Sequence, residues 1–160
     1  MTTPTLKDHL VEALLMTLEE TFDQVHGIYL DKGTALFETL ATISAEEASR
    51  PVSPTCATLA AQVEHTRFYL ETTIAFAQGT APEKVDWNHI WQTVSAVTPA
   101  EWEASIARLR DTYAAVIQLV KTYPAWEQAD AQVIGSAIGM VIHTAYHLGE
   151  IRQALCTLRA

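Results

Sequence analysis

His143 and His147 stand four residues apart in the segment HTAYHLGE, and His65 stands in LAAQVEHTRFYL. On a helix, an i, i+4 pair stacks two imidazoles on one face, one turn apart, which suits two ligands of one metal ion. At about 100° per residue, Glu150 falls within about 20° of His143. Ser136, Gly139, Met140 and Ala154 share that face, so it is small or apolar except for two histidines and a glutamate. The same arithmetic puts Thr58, Ala61, Gln62, Phe68, Tyr69, Thr72 and Phe76 within about 60° of His65. That stripe is core-facing by its aromatics and turns polar around the histidine. Two such stripes imply one interior polar site shared by two helices.

A plainer reading competes with this one. A histidine on an apolar face is commonly a hydrogen-bonded core residue, and a His-x-x-x-His pair is commoner than a metal site. A ferritin-like di-iron centre needs Glu-x-x-His motifs on paired helices. Here His147 and Glu150 occur in the reverse order and Glu64 and His65 are adjacent, so that site is not supported. The His-Glu-x-x-His pattern of zinc proteases is absent. His9, His26 and His89 have no partner at ligand spacing and read as surface or helix-end residues.

The elements that must position these side chains are helices, since no segment alternates polar and apolar residues for long. Thr3-Pro4, Ser53-Pro54 and Thr98-Pro99 each read as a cap followed by proline in the first helical position. Glu101 completes a capping box with Thr98, Glu47 makes one with Ser44, and Gly27 and Gly79 fall where helix-ending residues belong. The pattern predicts long helices over about 4–26, 54–78, 99–122 and 129–158, with short ones within 34–49 and at about 86–95. The short link around Pro124 predicts that the third and fourth long helices are antiparallel neighbours. The long link 79–98 permits a crossover between the second and third. The expected fold is therefore an all-α four-helix bundle, a single domain over residues 1–160.

Composition supports a folded chain: of 160 residues, 49% are hydrophobic and 18% charged. A net charge of -9 with scattered basic residues argues against a nucleic-acid partner. The stretch from Ala131 to Gly149 has no Asp, Glu, Lys or Arg, but Gln132, Ser136, His143, Thr144 and His147 suit it poorly to lipid. It reads as the central buried helix of a protein outside the membrane. The N-terminus lacks the pattern of a signal peptide, and Cys56 and Cys156 read as free thiols, so a cytoplasmic setting is expected.

The segments HTAYHLGEIRQAL and LAAQVEHTRFYL, together with the helix order and the gap between the first two site histidines, resemble the DinB-like superfamily of metal-binding four-helix bundles. The resemblance covers nearly the whole chain. It implies a bundle with a crossover connection and a three-histidine site with open positions on His65, His143 and His147. It also implies a frequent homodimer. Relatives include metal-dependent S-transferases that act with bacillithiol, mycothiol or glutathione, and a thiol-dependent maleylpyruvate isomerase. Many relatives carry Gln where this chain has Glu150.

Three neutral imidazoles plus water suit Zn²⁺ or Ni²⁺, and such an ion can lower the pKa of a bound thiol or water. The expected function is a divalent-metal-dependent transferase that activates a low-molecular-weight thiol toward a small-molecule substrate. Tyr69, Tyr146 and one of Trp87 or Trp91 are expected to wall the pocket, with Gln62 and Glu150 beside the ligands. No catalytic residue beyond the metal site is assigned. The alternatives are a non-catalytic metal or small-ligand binding bundle, and a purely structural bundle whose core histidines are hydrogen-bonded.

Overall fold

The computed structural model describes residues 3–160, and these contain helices and no strand. Four long helices form the bundle: α1 (Leu6–Phe22), α4 (Leu59–Ala77), α6 (Pro99–Thr122) and α7 (Ala131–Leu158). Short helices α2 (Leu36–Leu40) and α3 (Ala45–Ala48) lie between α1 and α4, and α5 (His89–Thr93) lies between α4 and α6.

Apolar residues at three- and four-residue spacing decide which faces turn inward. Leu14, Leu18 and Phe22 do so on α1, Leu59, Val63 and Leu70 on α4, and Trp102, Leu109, Val116 and Val120 on α6. Met140, Leu148, Ile151 and Leu155 complete the core from α7. The indole N–H of Trp102 donates to the carbonyl of Ile43 at 2.8 Å and ties α6 to the segment after α2.

Side-chain contacts fix the helix directions. Ser105 reaches Glu64 and Thr112 reaches Glu71, so α4 and α6 climb together and run parallel. Residues 78–98 therefore return the chain along the length of the bundle, the crossover that the long link allows. Gln62 meets His147 and Tyr69 stacks on His143, so α4 and α7 run antiparallel.

The expected adjacency of the third and fourth long helices is overturned. α6 packs on α4 and α1, α7 packs on the same two, and α6 and α7 stand diagonally opposite. The link 123–130 can span the diagonal because eight extended residues reach about 26 Å, while helices spaced about 10 Å apart are about 14 Å apart across the diagonal. Trp126, in a 3₁₀ turn (Trp126–Gln128), anchors this link by donating its indole N–H to the carbonyl of Val120 at 2.8 Å.

Several caps also differ from expectation. α1 starts after Thr5, which forms a capping box with Asp8, and not after Thr3. α4 starts after Thr58, not Ser53, so Pro54 and Cys56 lie outside it. Gly27 takes a positive φ in the loop well beyond the end of α1, whereas Gly79 directly follows the last turn of α4. The boxes Ser44–Glu47 and Thr98–Glu101 form as their spacing requires. α7 is not buried all round either: Ile138, Ile142 and Tyr146 form an exposed stripe on its outer face. No helix of the described residues is long and apolar enough to cross a membrane.

Candidate metal centre

The antiparallel pairing of α4 and α7 brings His65 to the level of His143 and His147. One nitrogen from each ring lies within 4.8 Å of the others, and the ring centroids are 4.5–5.2 Å apart. His65 and His147 are buried and His143 is half-buried. A tetrahedral site with bonds of about 2.1 Å separates its nitrogens by about 3.4 Å, so modest side-chain rotation would close the cluster around an ion.

The environment of the rings favours ligation. Burial, reinforced by the neighbouring imidazoles, pushes His65 and His143 down to about 4. Burial also lowers His147, opposed by the Glu150 carboxylate. All three rings are thus neutral at pH 7 and keep a lone pair. The Nδ1 atoms of His65 and His143 are buried without a hydrogen-bond partner. An unpartnered buried polar atom costs about 1–3 kcal/mol, so two on converging rings mark a place that lacks a partner for imidazole. A cation-binding cluster fits these residues better than a hydrogen-bonded core does.

His147 is held differently. Its Nδ1 lies 2.5 Å from Gln62 Oε1 and 2.9 Å from Glu150 Oε2. Both neighbours are oxygens, so Nδ1 carries the proton and donates, and Nε2 keeps the lone pair. This is the arrangement by which outer groups orient a metal-binding histidine. Glu150 is partly exposed.

Aromatic rings enclose the cluster. Trp91, from α5 in the crossover, stacks on His65 at 4.3 Å, and Tyr69 stacks on His143 at 3.7 Å with the planes 9° apart. Tyr146 meets His147 edge-on at 5.1 Å and remains largely exposed. Trp87 packs on Phe68 and Tyr69, one layer out. Sequence reading left Trp87 and Trp91 undecided, because only the path of the crossover selects between them. It also missed the role of Gly139, where an added Cβ would lie 3.0 Å from the Tyr69 hydroxyl. Phe76, expected on the interior stripe, is exposed at the end of α4. His9, His26 and His89 are exposed and stand apart from the cluster. Cys56 and Cys156 are free and exposed.

Among known families, the model of the DinB superfamily matches residues 29–151, a span that encloses all three clustered histidines. No curated protein and no solved structure matches the chain.

Proposed function

The chain belongs to the DinB superfamily, and from that premise we propose that it binds Zn²⁺ or Ni²⁺ on His65, His143 and His147 and transfers a low-molecular-weight thiol to a small-molecule acceptor. The observation that carries the proposal is the convergence of three neutral imidazoles from two helices, two of them buried and one half-buried. When bound, the ion supplies Lewis acidity that makes a thiol or water nucleophilic at neutral pH.

The remaining work falls to this chain's residues. Gln62 and Glu150 hold the His147 proton on Nδ1 and fix the ring orientation. Tyr69 and Trp91 exclude water from two sides of the cluster. In the transfer the thiol gives up its proton to solvent water, the sulfur lone pair bonds to an electrophilic carbon, and the leaving group departs into solvent with its bonding pair. A cytoplasmic setting and a homodimer belong to the same proposal. The outward Ile138, Ile142 and Tyr146 on α7 offer the dimer an apolar face.

A second reading is a non-catalytic metal or small-ligand binding protein. The stacking of Trp91 and Tyr69 directly on His65 and His143 favours it, because covered rings leave less room for a substrate. The discriminating experiment loads the protein with zinc or nickel and screens thiols against small electrophiles. Metal-dependent thiol consumption that His65→Ala abolishes supports transfer. Stoichiometric metal without any thiol consumption supports the second reading.

A further inference from the structure

Beside the histidine cluster lies a cavity of about 530 Å³ between the C-terminal halves of α4 and α6 and the N-terminal half of α7. Its lining includes Tyr69, Phe76, Trp87, Tyr123, Trp126 and Met140. Along α7 it extends from Met140 back to Val133, about 10 Å at about 1.5 Å per residue. Tyr69 both lines this space and stacks its ring on His143. A molecule in the cavity therefore sits one ring away from the cluster.

The electrostatics of the lining are selective. None of the described residues that line the cavity is Lys or Arg. Its one acidic group, Asp130, is engaged as the cap of α7, where its Oδ1 accepts from the backbone N–H groups of Gln132 and Val133 at 2.9 Å. The chain as a whole carries a net charge of -9. An anion entering here would lose hydration and gain no cation, whereas aromatic walls reward an uncharged ring by burial and by stacking or edge contacts. The volume falls within the range of about 300–1,000 Å³ found for small-molecule sites.

We infer that this cavity binds an uncharged, aromatic-ring-bearing small molecule, held next to the metal site with the Tyr69 ring between them. The inference deepens the proposed function and rests on it for the chemistry at the metal, though not for binding in the cavity.

The probes are the uncharged fluorophore phenylnaphthylamine and its sulfonated counterpart, anilinonaphthalene sulfonate, which share one ring frame and differ by an anionic group. Titration of the folded protein should show one saturable site that prefers the uncharged probe by at least about tenfold, about 1.4 kcal/mol. Ser136→Trp, at an exposed position on the cavity wall, should weaken uncharged-probe binding by at least about tenfold. Phe76→Arg, also at an exposed position, should narrow or reverse the preference by supplying a cation. Circular dichroism confirms that each variant is folded. Equal affinity for the two probes, or no change in probe binding with either folded variant, overturns the inference. Zinc and nickel affinities measured in parallel by chelator competition separate the two readings. Probe binding without binding of either metal refutes the proposed function and leaves the cavity assignment standing, and metal binding without probe binding refutes the cavity assignment alone.

Discussion

The two acceptors on His147 Nδ1 make the site redundant in a measurable way. Gln62 Oε1 at 2.5 Å and Glu150 Oε2 at 2.9 Å share one N–H donor. Gln62→Leu or Glu150→Ala alone leaves the other acceptor in place, so each is expected to lower metal affinity by less than about tenfold, about 1.4 kcal/mol. Gln62 should matter at least as much as Glu150, because its contact is shorter and Glu150 is partly exposed. The double variant leaves the Nδ1–H without either acceptor on a ring that is 5% exposed. A buried orphan donor costs about 1–3 kcal/mol, so the double loss should reach about 10- to 100-fold or beyond. It should exceed the sum of the single losses by at least about 0.5 kcal/mol. Competition against a chromophoric chelator at pH 7 measures the affinities. Nitrogen-15 NMR of the metal-free protein reads the tautomer independently of any metal: protonated Nδ1 in wild type, mixed tautomers in the double variant. Single losses that add to the double loss within about 0.3 kcal/mol, or a proton found on Nε2 in wild type, would refute the reasoning.

Glu20 is fully buried, which pushes its carboxyl up, but the carboxylate accepts from the backbone N–H groups of Tyr29, Ile28, Leu30 and His26, which together outweigh burial and hold it down to about 2. In Glu20→Gln the side-chain amide would face two of those donors, so unfolding in urea should show a loss of about 2–4 kcal/mol; an unchanged midpoint would sink this assignment. In the metal-free protein, His65 and His143 charge at about 4 when folded but at the ordinary 6.5 when unfolded. The unfolded chain therefore takes up protons first, so stability is full above about pH 6.5 and declines as pH falls toward about 4. Replacing both histidines with Gln should flatten thermal stability across that window; an identical slope would contradict it. Gly139→Ala crowds the Tyr69 hydroxyl and should displace that ring from His143, read as altered ring-proton shifts of His143; unchanged shifts would mean that the helix absorbs the methyl elsewhere.

The clustering of the three histidines was legible in the sequence to the extent that it depends on helical periodicity. His143 and His147 share a face because they are one turn apart, and His65 declares itself by polar neighbours on an aromatic stripe. Thr98, Pro99 and Glu101 mark the start of α6 because cap, proline and box agree there. At Thr3-Pro4 and Ser53-Pro54 the same dipeptide misleads. Proline after a hydroxyl residue also suits a loop, and the helices begin instead at Thr5 and Thr58, whose side chains accept from N–H groups in the first turn. The diagonal placement of α6 and α7 was hidden because link length bounds the reach without choosing a neighbour. The Glu20 clip was invisible for a different reason: its partners are backbone N–H groups, which no side-chain pattern reveals.

The central claim is that His65, His143 and His147 together hold one divalent ion. Its most direct test is elemental analysis of tag-free protein loaded with zinc or nickel and dialysed against a weak chelator, for wild type and His143→Ala in parallel. About one metal per wild-type chain is expected and little in the variant, since losing one of three protein ligands removes a bond the site needs. Equal metal content in the two proteins would contradict the claim, and the transferase reading would fall with it.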